Sequence, residues 1–151
     1  MTARSFLLTV HIVSIASWLG ADVVQHAMRR RWQKESREAK AAWARLQFWL
    51  HDRYYAIVVV FILISGVGLV QNEHLSWSSK FVDLGLGTVV VGAALGGIGL
   101  KGLAKKRVAA FAAGDDAGAE AAAKRSVPIE IFVTALVIVT VFAMVKRWGA
   151  V

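Results

Sequence analysis

Four long apolar stretches mark out the chain, separated by segments rich in charge. They run from Thr9 to Met28, roughly Tyr54 to Val70, Phe81 to Leu100, and Ile129 to Val145. Each approaches the ~20 residues a helix needs to cross a ~30 Å hydrocarbon core, and the two shorter ones can extend through flanking aromatic residues and a polar turn. The ten-residue alternation of a membrane β-barrel is absent from the sequence. The pattern predicts an all-α fold, a four-helix transmembrane bundle with antiparallel neighbours, in a single integral membrane domain over residues 1–151.

The first stretch, TVHIVSIASWLGADVVQHAM, departs from a plain lipid-facing span because it carries His11, Asp22 and His26. At 100° per residue, Trp18 and Asp22 each lie about 20° from His11, so the three share one face, and His26 lies one turn beyond Asp22. An unpaired charge in hydrocarbon costs on the order of 2.5–3.5 kcal/mol or more, so this stripe should face the other helices. The run continues past Trp18 with no small-x-small cleavage site and ends in a basic cluster, which reads as a retained anchor rather than a signal peptide.

The intervening segments carry further signals. The stretch from Arg29 to Tyr55 lacks Pro and Gly and should be helical at both ends, with Trp43 and Trp49 as headgroup anchors. The third span contains Gly92 and Gly96 in a GxxxG match, suited to close helix packing, to a flat cofactor, or to a homodimer. In AAGDDAGAEAAAKRS, Asp115 or Asp116 can cap a short alanine-rich helix acting as a tether. Pro128 marks the expected start of a new helix, with Glu130 in its positively polarised first turn, and the last span ends at Lys146, Arg147 and Trp148.

Composition agrees with a membrane setting: 57% of residues are hydrophobic and mean hydropathy is +0.55. The net charge of +8 does not indicate nucleic acid, because its cations cluster at membrane edges. Seven Lys/Arg fall between Arg29 and Arg45 and six between Lys101 and Arg125. By the positive-inside bias these segments are cytoplasmic and both termini lie outside, the partner being the lipid bilayer of a bacterial inner membrane. No cysteine is present, which excludes disulfides, thiolate metal sites and cysteine nucleophiles.

Antiparallel helices bring two polar sets to common depths. The outer set is His11, Lys80 and Asp83; the cytoplasmic set is Asp22, His26, His51, Asp52 and Glu130. His11 and a neutral Lys80 are nitrogen donors of the kind that hold haem iron, with Asp83 able to compensate the lysine charge instead. The cytoplasmic carboxylates and imidazoles suit a divalent transition metal, Asp22 and His26 having the i, i+4 spacing that sets ligands side by side. A third reading is that these groups only lock helix packing.

A family resemblance bears on the choice. HIVSIASWLG (His11 to Gly20), WSSKFVDLGLG at the third helix and VPIEIFVTALVIVTVFAMVKRW at the fourth resemble the HemJ-type protoporphyrinogen IX oxidases and the CopD-like four-helix membrane proteins. The shared features are a tryptophan seven residues after a histidine, a W-x-x-K-L-like pattern, and an E-V-P-like segment leading into an aliphatic helix with a basic end. The resemblance implies haem b, held through the counterparts of His11 and Lys80 with Trp18 and Asp83 nearby. It also implies an oxidoreductase acting on a porphyrin or exchanging electrons with quinone. The first helix differs at Val24, Gln25 and His26, where that family has Pro-Arg and Tyr-His features. The alternatives left open are a metal- or proton-handling transporter using the cytoplasmic set and a cofactor-free accessory subunit.

Overall fold

The computed structural model describes residues 2–147, so Trp148 lies outside the described residues. Four long helices form the molecule: α1 (Ala3–Trp32), α2 (Arg37–Asn72), α3 (Lys80–Ala112) and α4 (Asp116–Val145). All four are long and apolar enough to cross a membrane, and among the described residues there is no strand. The fold is an all-α four-helix membrane bundle with antiparallel neighbours. Its order around the bundle is α1, α2, α3, α4, with the α1–α4 contact the thinnest.

The helices outlast the bilayer. α1 has 30 residues, about 45 Å at 1.5 Å per residue against a hydrocarbon core of ~30 Å. The excess lies at the end where residues 33–36 and 113–115 turn the chain, here termed the loop end; the opposite end, with residues 2 and 73–79, is the terminal end. Along the lipid-facing surface stand exposed apolar side chains such as Ile12, Val60, Phe61, Val90, Ile138 and Phe142. In hydrocarbon these carry no hydrophobic penalty.

Three buried clusters stack along the axis. Mid-bundle, Trp18 packs with Val58, Ile62, Val133 and Val137. Toward the terminal end Val70, Phe81, Val82 and Ala143 meet, and beyond the membrane at the loop end Ala44, Phe111 and Ala119 allow close backbone approach. Thr88 and Thr140 hydroxyls, 2.5 Å apart, join α3 to α4 inside the span. Such interhelical bonds contribute roughly 0.6 kcal/mol on average in membranes.

Several sequence expectations are corrected. The fourth helix does not begin at Pro128: Asp115 caps it by accepting from the Gly118 amide at 2.8 Å, and the helix runs unbroken from Asp116 through Pro128. Glu130 therefore sits mid-helix, away from any positively polarised turn, and Arg29 of α1 compensates it instead. Trp43 is not a headgroup anchor: it is buried and stacked on Trp32 with ring centroids 5.0 Å apart, whereas Trp49 is exposed as expected. Gly92 of the GxxxG match faces Trp18, whose Cη2 would lie 3.0 Å from an added Cβ, so this glycine serves packing within the chain.

Two helices contain π-helical turns, Leu50–Tyr54 in α2 and Ala94–Leu100 in α3, which meet at one level. π-bulges inside α-helices frequently mark functional sites. Here they flank the cavity described next.

Candidate functional site

The mid-bundle core divides two cavities of similar size. The inner one, toward the loop end, has a volume of about 270 Å³ and is lined by Trp18, Asp22, Gln25, His26, His51, Tyr55, Glu130 and the glycine wall of Gly92, Gly96 and Gly97. Four of the five residues expected on the cytoplasmic side therefore share one chamber. The fifth, Asp52, turns away to Lys101 at 2.6 Å and Arg53 at 3.2 Å.

The polar groups of the inner cavity are already engaged with protein. Asp22 accepts from the Tyr55 hydroxyl at 2.5 Å and from the Thr134 hydroxyl at 2.9 Å. Gln25 donates to Tyr55 at 2.7 Å, Gln47 donates to Gln25 at 3.3 Å, and Arg107 donates to Gln47. A continuous hydrogen-bonded chain thus runs from the loop end into the span. His51 stacks on Tyr55 with centroids 5.2 Å apart, the His26 Nδ1 lies 2.8 Å from the Asp22 carbonyl oxygen, and Glu130 is ion-paired with Arg29. Among the described residues no three His, Asp or Glu side chains are placed to hold a metal ion. The expected divalent-metal grouping is not assembled: Asp22 binds hydroxyls, and Glu130 and Asp52 are paired with cations.

The outer cavity, toward the terminal end, has a volume of about 240 Å³ and receives His11 from α1, Gly66 from α2, Phe81 and Gly85 from α3, Met144 from α4 and Arg147 from just beyond it. The buried His11 ring is fixed by its Nδ1, 3.0 Å from Ser65 Oγ, and by Gly66, where an added Cβ would stand 3.3 Å from His11 Cε1. Ser65 in turn donates to the carbonyl of Phe61 at 2.5 Å. A hydroxyl anchored to its own helix therefore orients the imidazole.

At the mouth of this cavity Glu73 pairs with Arg4, and with Arg147 at 3.3 Å. Glu73 lies in the connecting loop; the hydrogen bond from Arg4, then the charges of Arg4 and Arg147, hold its carboxyl below the usual glutamate range. Lys80 and Asp83 do not line the cavity: both are exposed on the first turn of α3, while their neighbours Phe81 and Val82 turn inward. Trp18 belongs to the inner chamber instead. The structure thus brings His11 together with Arg4, Arg147 and Met144, not with Lys80, Asp83 and Trp18.

Some of these groups were accessible to sequence reasoning. Gln25 is three residues from Asp22 and shares its face, and Arg29 lies at the depth of Glu130 once the helices are antiparallel. Tyr55, Thr134 and Met144 carry no such signal, being ordinary members of apolar runs. No family model, curated protein or solved structure matches the chain.

Proposed function

We propose that the chain is a haem-binding redox protein of a bacterial inner membrane, similar in kind to the HemJ-type and CopD-like proteins, with both termini outside. The observation that carries this reading is the buried His11 ring, oriented by Ser65 at the wall of an interhelical cavity whose mouth carries two arginines. A histidine whose one nitrogen is hydrogen-bonded offers the other as a metal ligand, and that second partner sets its orientation and basicity.

The donor chemistry fits haem b. His11 Nε2 would hold the iron and Arg4 and Arg147 would meet the propionates, while Gly66 and Gly85 let the His11 ring and the Met144 side chain pack close against α2 and α3. The Met144 thioether is the second soft donor in the cavity, a more accessible partner than the exposed Lys80. At about 240 Å³ the cavity is below the ~300–1,000 Å³ of common ligand sites. The cavity borders the seam between α2 and α3, which touch sparingly along this half. When bound, haem supplies one-electron transfer; the chain orients it, screens it from water and neutralises its carboxylates. A porphyrin or a quinone is the redox partner that the resemblance favours.

The optical spectrum of protein purified from haem-replete cells tests the reading: a Soret band that shifts on dithionite reduction is expected. Absence of a Soret band in such preparations would overturn it. A proton-handling transporter is the second reading, favoured by His26 and His51 sharing a chamber with Asp22 and Glu130. Topology is tested by thiol labelling of intact cells: His74→Cys should react with an impermeant reagent and Asp116→Cys should not, and the opposite pattern would invert the bundle.

A further inference from the structure

A third chamber, of about 420 Å³, lies at the loop end, enclosed by the last turns of α1, the starts of α2 and α4, and the end of α3. Arg107 is ~40 Å along α3 from Lys80 at 1.5 Å per residue, which puts this chamber past the hydrocarbon core. Its walls carry five basic side chains, Arg29, Arg37, Lys40, Arg107 and Lys124, against two acidic ones, Asp116 and Glu120. Both acids are committed: Asp116 to Arg37 at 2.8 Å and Glu120 to Lys124 at 3.0 Å. Arg29 pairs with Glu130, and Arg107 donates to a neutral amide oxygen, that of Gln47.

Two buried atoms on the chamber's lining residues lack a hydrogen-bond partner: Trp32 Nε1 and Arg107 Nε. Buried polar atoms are almost always paired, so each such exception calls for a partner. Indole and guanidinium nitrogens are donors only, which requires that partner to be an acceptor. The surplus of cations favours a negative one. A planar guanidinium beside further cations is the arrangement that recognises phosphate oxygens, and the volume lies within the range of small-ligand sites.

We propose that this chamber binds a phosphate-bearing anion, with Arg107 and Trp32 donating to its oxygens and Lys40 adding charge. The phosphate belongs either to a lipid headgroup reaching in from the membrane edge or to a soluble phosphate ester, and both present the same oxygens to the same donors. Bound there, it joins the end of α1 to α3. The site is independent of haem in the outer cavity.

The test uses full-length protein, delipidated in dodecylmaltoside without phosphate, and titrated calorimetrically with inorganic pyrophosphate and separately with a short-chain phosphatidylglycerol. Saturable binding of one equivalent is expected for at least one probe, weakened about tenfold or more by Arg107→Gln and by Trp32→Phe. Trp32→Phe keeps a ring against Trp43 and removes only the donor, so it decides the matter if Arg107→Gln fails to fold. Tighter binding of pyrophosphate identifies a soluble ester as the source, and tighter binding of phosphatidylglycerol identifies a headgroup. Binding of neither probe, or binding unchanged in both variants, overturns the proposal.

Discussion

The ion pair between Arg29 of α1 and Glu130 of α4 should respond unequally to loss of its two members. The Glu130 side chain is 8% exposed and that of Arg29 24%. Arg29→Met leaves a buried carboxylate without its ion-pair partner, although Arg107 stays near enough to act on it, and breaking a buried pair in this way costs about 3–5 kcal/mol. Glu130→Gln leaves a guanidinium that can swing toward water or lipid phosphate at the membrane edge, so the loss should be nearer that of one hydrogen bond to a charged group, about 1.5–3 kcal/mol. The double variant Arg29→Met/Glu130→Gln removes the stranded charge and should regain a large part of the first loss. Thermal and denaturant unfolding in dodecylmaltoside would measure all three. Equal cost for the two single variants, or strict additivity in the double, would refute the idea that Arg29 is the compensating charge for Glu130.

Gly92→Ala forces a methyl against Trp18 and should cost about 1–3 kcal/mol in the same unfolding assay, whereas Gly96→Ala meets nothing within 4 Å and should change stability by less than ~1 kcal/mol. The terminal clasp should be acid-sensitive. Because Glu73 has a folded-state pKa below its ordinary 4.5, its contribution is complete above that value and is lost as the pH falls through the lower folded pKa. A spin label at Phe6→Cys should therefore gain mobility only below pH 4.5, and in the Glu73→Gln protein it should be mobile throughout; an unchanged label in that variant would exclude the clasp.

The fold was legible because its determinants are one-dimensional. Four apolar runs and two basic segments specify spans and alternation, and bilayer thickness does the rest. Helix boundaries were less so. Pro128 suggested a start, yet α4 passes through it, because Asp115 caps earlier and the residues from Asp116 to Val127 are good helix formers. The shared face of His11, Trp18 and Asp22 is real, all three being buried, but it extends through two chambers rather than one. Spacing along a helix gives direction and depth, not which cavity lies opposite. Depth, together with the family resemblance, likewise paired His11 with Lys80. The rotation of α3, set by Phe81 and Val82 turning inward, left Lys80 outside and brought Arg4, Glu73 and Arg147 to the mouth instead. Those three come from both ends of the chain and one loop, and only the closed bundle brings them together.

Haem titration into apo-protein, followed by absorbance, most directly tests the role of the outer cavity. Wild type and Asp22→Asn should each saturate at one equivalent with the same Soret maximum, because Asp22 lines the inner chamber. His11→Ala should fail to saturate or should give a shifted band, with its fold verified by circular dichroism. Equal binding and an identical spectrum in His11→Ala would contradict the assignment of His11 as the iron ligand.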